Sequence, residues 1–350
     1  MEKDLQLQPV RTAVIGASGY SGQELLHYLA RHPAFRLVLV TSRQYAGEPL
    51  SRSIHGLPRE LGAVTFTDAA PDFALAGQAD LFFLALPHGA AAPYAVVLRE
   101  AGKLVVDLSA DFRTSDPAVY REFYGQDHPA PSLLAESVYG LPEIHRTRLK
   151  SARLIAAPGC FPTSIILPLA PFLKEKMIVP DSIAIASLSG VSGAGRKLEL
   201  RLLFGEVADN MYPYGVPKHR HLGEIEQELS MAAGTKVTVT FVPHLVPLHR
   251  GMLTTISATL GPAAREAGLY GLLEAAYGDE PFVEILGLDE LPQARQVAHS
   301  NRIQIAAQID ERTNRLLLFS ALDNLGKGNA SQAIQAANLA CGFEETLGLI

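Results

Sequence analysis

The chain has 350 residues, of which 48% are hydrophobic and 19% are charged. This length favours two domains over one, and the composition excludes a largely disordered chain. The net charge of -6 gives no electrostatic reason to expect nucleic-acid binding.

The chain carries no sequence sign of a membrane or of secretion. Residues 1–6 are polar and contain no apolar signal core. The most apolar run, residues 165–173, is short and contains two prolines, so we expect no membrane span. The two cysteines, Cys160 and Cys341, lie far apart and form no ligand cluster, so we expect a reducing compartment and no secreted disulfide framework. We therefore expect a cytoplasmic protein.

The first part of the chain alternates short apolar runs with helical stretches. Strands are predicted over residues 11–15, 36–41, 81–86 and 104–108, and helices over residues 23–31 and 90–101. Strands that are apolar on both faces and separated by helices are typical of a parallel sheet covered on both sides. This pattern predicts a Rossmann-type, doubly wound α/β domain.

A glycine-rich turn follows the first predicted strand and opens the first helix. Gly16 permits the tight turn, Gly19 lets the backbone approach a pyrophosphate, and Gly22 lets helix and strand pack closely. The cofactor-binding residues predicted in this turn are Gly16, Ser18, Gly19, Tyr20, Ser21 and Gly22. The spacing is GxxGxxG instead of the commoner GxGxxG, so a purely structural corner is the alternative.

The end of the second predicted strand bears on the choice of nicotinamide. NAD-specific sites usually carry Asp or Glu there, whereas this chain has Ser42 and Arg43. A hydroxyl followed by a guanidinium suits a 2′-phosphate, so we predict NADPH/NADP+. In the alternative, Arg43 is only a solvated loop residue. Pro87 follows the strand at residues 81–86 and is expected to line the cofactor path, together with His88. For His88, a structural loop histidine is an equal alternative.

Cys160 is the predicted nucleophile. Gly159 allows a close approach to it, and Pro162 suits the first turn of a helix. The positive end of that helix favours thiolate over thiol, whereas a buried structural cysteine is the alternative. We expect Pro168 to kink or end the helix, because an interior proline costs about 3 kcal/mol. Cys341 is expected to pack in the core.

A thiolate beside a nicotinamide has limited chemistry. It attacks an acyl carbon to give a thioester, and hydride then gives a thiohemiacetal that collapses to an aldehyde. With an acyl phosphate, inorganic phosphate leaves in the first step. We therefore predict acyl-level redox chemistry, for which a small-molecule acyl phosphate and inorganic phosphate are one possible pair of partners.

His219, His221 and Glu224 supply candidate acid–base groups at the start of a predicted helix, residues 222–229. Glu224 follows His221 by three residues, which brings it within reach in a helical turn to orient an imidazole. The spacing does not decide which histidine meets the sulfur. A metal site is one alternative, but the sequence has no third ligand cluster, so we expect no metal. A plain surface histidine pair is the other.

Two segments are candidates for binding an anionic substrate. Arg113 follows the fourth predicted strand and would be placed to clamp a carboxylate, although a surface salt bridge is an equal interpretation. Ser189, Gly190 and Gly193 lie in residues 187–196, whose consecutive N–H groups would form an anion nest for phosphate. A flexible linker is the alternative for that stretch.

The pattern changes after Cys160. Alternating strands are predicted over residues 236–241, 252–260, 302–308 and 315–319, and a last helix over residues 327–340. Alternation at this spacing is typical of an antiparallel sheet with one exposed face. The second domain is therefore predicted to be α+β with a mostly antiparallel sheet, with a boundary near Cys160.

Motifs in a fixed order resemble the N-acetyl-γ-glutamyl-phosphate reductase family, which is related to the aspartate-semialdehyde dehydrogenases. The resemblance covers nearly the whole chain. It rests on the motifs GASGYSG, TSR, ALPHG, DLSADFR, PGCFPT, SGVSGAGR, YGV with HRH and EI, PHLVP with RG, and DNLGKG. One departure is Gly223, where the family often has proline.

The resemblance implies reduction of N-acetyl-γ-glutamyl phosphate to N-acetylglutamate 5-semialdehyde and phosphate, in arginine biosynthesis. It implies that Cys160 is the nucleophile and that Arg113 and Tyr214 bind substrate. It places Asn324 near the nicotinamide, which makes the first domain discontinuous. The implied domains are residues 8–159 with 322–350 for NADP binding, and residues 160–321 for catalysis, substrate binding and oligomerisation. A homodimer or homotetramer is expected.

Other assignments remain open at this point. A reductase of a longer, aminoadipyl-type acyl phosphate is the first alternative, although PGCFPT is more similar to the glutamyl enzymes. Aspartate-semialdehyde dehydrogenase fits HRH and PHLVP poorly. A nicotinamide-binding regulator without catalysis is the remaining alternative, and the intact Cys160, His219 and His221 argue against it.

Overall fold

The computed structural model describes residues 8–196, 198–262, 264 and 268–350, so the polar segment at residues 1–6 lies outside the described residues. The chain forms two compact units. Unit 1 comprises the described part of Met1–Ser115 with His128–Ala157 and Ala333–Ile350, and unit 2 comprises Asp116–Asp127 with Pro158–Gln332. Residues 116–127 and 322–332 thus fall in unit 2, whereas the domain bounds proposed from the sequence stay a prediction.

Unit 1 contains a six-stranded parallel sheet with the order β2-β1-β3-β4-β6-β5. The strands are β1 Val10–Ile15, β2 Phe35–Val40, β3 Leu81–Leu84, β4 Leu104–Asp107, β5 Val138–Tyr139 and β6 Leu154–Ala156. Its helices are α1 Tyr20–Leu29, α2 Arg59–Gly62, α3 Phe73–Ala76, α4 Ala92–Glu100, α6 Pro142–Leu149 and most of α12 Ser331–Ala340. Every residue of β3 and β4 is buried, which confirms the predicted strands with two covered faces.

The strand order of unit 1 reverses between β1 and β3. Ligands of open α/β sheets bind beyond the carboxyl ends of the strands at such a point. The glycine-rich turn after β1 and the segment of Pro87 after β3 both lie there.

Unit 2 contains a seven-stranded mixed sheet with the order β11-β12-β13-β10-β7-β9-β8. The strands are β7 Ala184–Gly190, β8 Tyr212–Pro213, β9 Thr240–Val246, β10 Met252–Thr259, β11 Val283–Ile285, β12 Ile303–Asp310 and β13 Arg315–Leu322. The pairs β7–β9 and β11–β12 are parallel and the other neighbours are antiparallel. The helices are α5 Pro117–Tyr124, α7 Cys160–Lys174, α8 Phe204–Val207, α9 Leu222–Ala233, α10 Leu269–Tyr277 and α11 Ala294–Val297.

The predicted strand at residues 236–241 is wrong over its first half, because β9 begins only at residue 240. The N–H of Val237 donates to the Ser230 hydroxyl, and the N–H of Val239 donates to the Glu226 carboxylate. These N–H groups bind side chains of α9 instead of a neighbouring strand. The predicted last helix also begins differently, with a π-helical turn, Gly326–Ala330, before α12 Ser331–Ala340.

The expected break at Pro168 does not occur, because α7 continues from residue 160 to residue 174 through Pro168 and Pro171. An interior proline leaves the carbonyl four residues earlier without its helical donor. The Ser320 hydroxyl donates to the Ser164 carbonyl at 2.6 Å, and the Tyr277 hydroxyl donates to the Leu167 carbonyl at 2.7 Å. Donors from outside the helix thus satisfy both carbonyl groups.

The α7 helix is the central helix of unit 2. All its residues from 161 to 173 are buried, and it packs against α9, α10, β10 and β13. Its first residue is Cys160, so the core of unit 2 fixes the position of the thiol. In the described part of the chain, no helix is long and apolar enough to cross a membrane.

Candidate active site

Cys160 lies at the first position of α7, as predicted. Gly159 caps the helix with an extended backbone (φ -72°, ψ 160°) and without a side-chain capping bond. The Gly159 N–H donates to the Glu224 carboxylate at 3.2 Å. A Cβ at Gly328 would lie only 2.8 Å from the Cys160 Cβ. Glycine is therefore required at position 328, where the π-helical turn passes the thiol.

The histidines and Glu224 meet beside α7. The carboxylate of Glu224 lies 3.9 Å from Nε2 of His221, and both residues are buried. The rings of His219 and His221 are 4.8 Å apart at 80°. Phe161 packs edge-on against both imidazoles. Glu224 therefore contacts both His221 and Gly159, the residue before Cys160. Gly159 and Glu224 are 65 residues apart in sequence.

His219 is a neutral imidazole at neutral pH. Burial and, to a lesser extent, the nearby charge of Arg220 together lower the pKa of His219 to about 4. Nδ1 of His219 accepts a hydrogen bond from the His221 N–H at 3.2 Å. The ring proton therefore lies on Nε2, which makes His219 a donor at that atom.

A cavity of about 280 Å³ in unit 2 contains these groups. Its lining includes the predicted residues Cys160, Gly193, Tyr214, His219 and His221. It also includes residues that the sequence prediction missed, namely Phe123, Phe161, Ala194, Glu199, Arg201, Leu202, Tyr212, Gly215, Lys218, Arg220 and Leu245. Proximity to Cys160 and His219 in sequence could have signalled Phe161, Lys218 and Arg220. No sequence signal indicated Phe123 or the segment at residues 199–202.

Tyr214 lines the same cavity as the Cys160 thiol and the Arg220 guanidinium. Burial raises the pKa of Tyr214, the Cys160 charge raises it further, and the charge of Arg220 opposes these effects. The phenol is therefore a neutral hydrogen-bonding group over the whole neutral pH range.

The predicted anion nest is wrong for most of its N–H groups. Gly190 donates to the Gly251 carbonyl, Val191 to that of Leu248, and Ser192 to that of His249. The Gly195 N–H donates to the Ser192 carbonyl. Ser189 and Gly190 end β7 and are buried, and the Ser189 hydroxyl donates to the Gly190 carbonyl at 3.2 Å. These N–H groups donate to carbonyl groups of the protein and are therefore not available to bind an anion.

The predicted dinucleotide turn in unit 1 has a geometry that fits a pyrophosphate. Gly16 has φ +84°, and a Cβ there would lie 2.7 Å from Leu86. A Cβ at Gly22 would lie 2.5 Å from the Ala17 backbone, so helix and strand pack closely. Around Gly19, a Cβ would meet no atom within 4 Å, and α1 begins without a side-chain capping bond. Tyr20 and Ser21 are the first residues of α1.

The residues predicted to select NADP over NAD lie beside this turn. The Ser42 hydroxyl donates to the Ser18 hydroxyl at 3.1 Å. The Arg43 side chain is 81% exposed, and its guanidinium lies 4.0 Å from the Asp68 carboxylate. Pro87 lies in the loop after β3, where Asp111 accepts the Gly89 N–H at 2.6 Å.

Arg113 is buried in unit 1. Its Nε donates to the Ala157 carbonyl at 2.8 Å and its Nη2 to the Leu108 carbonyl at 3.1 Å. These bonds fix the guanidinium plane, so Arg113 is not the surface salt-bridge residue of the alternative interpretation. Burial and the charge of Asp111 raise the pKa of the neighbouring Asp107.

Asn324 lies in unit 2, where its side chain organises the loops near the end of β13. Its Oδ1 accepts the Gly251 N–H at 2.8 Å, and its Nδ2 donates to the Ser192 hydroxyl at 2.9 Å. Cys341 lies one residue beyond α12 and is half-buried, and burial raises its pKa to about 11. In the described residues, no group of three or more His, Cys, Asp or Glu side chains could hold a metal ion.

The matches of two family models assign the chain to the semialdehyde-dehydrogenase class of oxidoreductases. The family described as "Semialdehyde dehydrogenase, NAD binding domain" matches residues 11–152, and "Semialdehyde dehydrogenase, dimerisation domain" matches residues 160–324. An aspartate semialdehyde dehydrogenase II from Vibrio cholerae has a similar fold (TM-score 0.71, 17% identity, 95% of this chain and 98% of that one). So does an aspartate semialdehyde dehydrogenase with NADP from Candida albicans (TM-score 0.69, 18% identity, 96% and 99%).

Sequence comparison narrows the class. An N-acetyl-gamma-glutamyl-phosphate reductase from Akkermansia muciniphila is 48% identical over 98% of this chain and 99% of its own length. One from Moorella thermoacetica is 46% identical over 97% of this chain and 98% of its own length. The chain belongs to the N-acetyl-γ-glutamyl-phosphate reductase family.

Proposed function

We propose that the chain reduces N-acetyl-γ-glutamyl phosphate with NADPH, giving N-acetylglutamate 5-semialdehyde and phosphate. The observation that carries this proposal is Cys160 at the start of α7, in one cavity with His219 and His221. Two relatives are named for this reaction. They are 46–48% identical to the chain over nearly their full length. The α+β unit with the thiol and the Rossmann-type unit match the two families of the class.

Cys160 carries the acyl group between the two halves of the reaction. Its thiolate attacks the acyl carbon, and the bond from that carbon to the phosphate oxygen breaks, so phosphate leaves and a thioester remains. The nicotinamide supplies a hydride to the same carbon when it is bound. The resulting thiohemiacetal loses the carbon–sulfur bond, which releases the aldehyde and returns the electron pair to the sulfur.

We assign the proton exchange to His221 and hydrogen-bond donation to His219. The Glu224 carboxylate faces Nε2 of His221 at 3.9 Å and stabilises the protonated ring after it takes the thiol proton. His219 stays neutral because its pKa is lowered to about 4, so its Nε2–H donates to the oxygen on which charge develops. Tyr214 is the substrate-binding hydroxyl beside them.

The cofactor proposal rests on unit 1. The glycine turn would hold the pyrophosphate at the N-terminus of α1, where Gly19 leaves open space. Ser42 and Arg43 would bind the 2′-phosphate of NADPH, and Pro87 would line the nicotinamide path. Asn324 is proposed to contact the nicotinamide, and Arg113 the substrate.

The reverse reaction tests the substrate and the mechanism together. Purified protein should reduce NADP+ with N-acetylglutamate 5-semialdehyde only when inorganic phosphate is present. Cys160→Ser should abolish this reaction, while the fold, followed by circular dichroism, stays intact. An inert aldehyde with a Cys160 that alkylates normally would refute the substrate. Greater activity with the aminoadipyl homologue, which has one more methylene, would favour the longer acyl phosphate instead.

We further propose that the chain acts in the cytoplasm as a homodimer or homotetramer. The dimerisation-domain match covers residues 160–324 of the chain. Within that range, the exposed large apolar side chains include Leu198, Leu200, Leu203 and Phe204. Exposed apolar side chains that form a patch are typical of a protein–protein contact. Light scattering should give two or four chains, and Phe204→Asp should lower that number.

A further inference from the structure

Three cations line the cavity around Cys160, and they differ in their partners. Arg201 pairs with Glu199 at 2.7 Å, and Lys218 pairs with Glu122 at 3.1 Å. In the described part of the chain, no acid lies within ion-pair distance of Arg220. The cavity therefore presents one guanidinium whose charge no protein carboxylate neutralises.

Arg220 is electrostatically connected to the reacting groups. Its charge lowers the pKa of His219 and opposes the rise in the pKa of Tyr214. The charge of Cys160 raises the pKa of Tyr214. The three reacting groups are half-buried or buried, whereas Arg220 is exposed at the cavity wall. Arg220 thus faces the solvent side of the same cavity.

The proposed substrate has two anionic ends with different requirements. Its acyl phosphate must lie at the sulfur, because phosphate leaves from the carbon that Cys160 attacks. Its α-carboxylate is four carbon–carbon bonds from that carbon, so it lies farther from the thiol than the acyl phosphate does. A guanidinium offers two parallel N–H groups that match a carboxylate in a planar fork.

We propose that Arg220 binds the α-carboxylate of the acyl substrate and thereby selects it against neutral analogues. This inference rests on the proposed function, because it names the group that recognises the non-reacting end of that substrate. The carboxylate stays on the acyl group in the thioester, so Arg220 holds the intermediate as well as the substrate.

The test uses the full-length protein in the reverse reaction, in which the two anions are separate reactants. Initial rates with N-acetylglutamate 5-semialdehyde, its α-methyl ester and inorganic phosphate give three separate KM values. Arg220→Gln should raise the KM for the aldehyde acid on the order of 10- to 100-fold, as expected for one charge-assisted interaction. It should leave the KM for phosphate and the kinetics with the ester nearly unchanged. The preference of the wild type for the acid over the ester should therefore disappear.

Two further variants serve as a conservative replacement and as a control. Arg220→Lys keeps the charge and should recover part of the preference for the acid. Arg312→Gln removes an exposed guanidinium that pairs with Asp310 far along the sheet, and it should change none of the three KM values. Alkylation of Cys160 at the wild-type rate in Arg220→Gln would show that the cavity remains folded.

Two results would overturn the inference while leaving the proposed function standing. One is an active Arg220→Gln that still prefers the acid over the ester as strongly as the wild type. The other is a rise in the KM for phosphate alone, which would assign Arg220 to the leaving group. A wild type inactive with the aldehyde acid would instead refute the proposed function itself, and the inference with it.

Discussion

Removing the hydroxyl of Ser320 should destabilise the helix that carries Cys160. This hydroxyl donates at 2.6 Å to the Ser164 carbonyl, which lies four residues before Pro168 and cannot receive a helical N–H from it. Ser320 and Ser164 are both fully buried, so water cannot replace the lost donor. Ser320→Ala therefore leaves a buried carbonyl without a partner.

The expected loss follows from that geometry. An unsatisfied buried carbonyl costs about 1–3 kcal/mol, and for a domain of this size 1 kcal/mol lowers the Tm by roughly 2–4 °C. Pro168→Ala restores a backbone N–H to the helix at the position that faces the Ser164 carbonyl. In that background, Ser320→Ala should cost less than about 1 kcal/mol, because the carbonyl keeps a donor.

Urea unfolding of the four proteins at one fixed protein concentration completes a double-mutant cycle. Ser331→Ala is the matched control, since its buried hydroxyl bonds to the Asn301 side chain and not to a carbonyl freed by proline. Its cost should be the same in the wild-type background and in the Pro168→Ala background. Equal costs of Ser320→Ala in both backgrounds would refute the compensation of proline by a side-chain donor.

Three further predictions concern the cofactor, the thiol and pH. Arg43→Ala should raise the KM for NADPH roughly tenfold with little change for NADH, on the strength of one guanidinium–phosphate contact; an unchanged preference in steady-state kinetics would remove Arg43 from this role. Gly328→Ala places a Cβ 2.8 Å from that of Cys160 and should lower kcat about 100-fold. Gly205→Ala, where a Cβ meets open space, is its control, and equal kcat values for both would contradict the crowding argument. Asp107 has a raised pKa in the folded state, so its contribution to stability is full below its ordinary pKa and is lost as pH rises. Asp107→Asn should flatten that decline in urea unfolding measured from about pH 4 to 8, and a parallel decline in both proteins would count against it.

Local patterns were sufficient for the first four strands of unit 1, for the glycine turn and for the position of Cys160 at a helix N-terminus. The glycine turn, the buried strands of unit 1 and the start of α7 each depend on residues within a few positions of each other. For that reason Cys160 at a helix N-terminus could be predicted from Gly159 and Pro162 alone. The family followed from the order of the same local motifs.

Only the tertiary structure decided which distant groups meet. Residues 236–239 look like a strand, but side chains of α9 take their N–H groups. Pro168 should end a helix, but Ser320 supplies a donor to Ser164 from 156 residues away in sequence. The sequence left His219 and His221 equivalent, and the structure distinguishes them by their neighbours: the Glu224 carboxylate lies 3.9 Å from His221, whereas the charge of Arg220 acts on His219. Hydrogen bonds, ion pairs and desolvation depend on distances in space, and a linear pattern carries no record of those distances until the chain is folded.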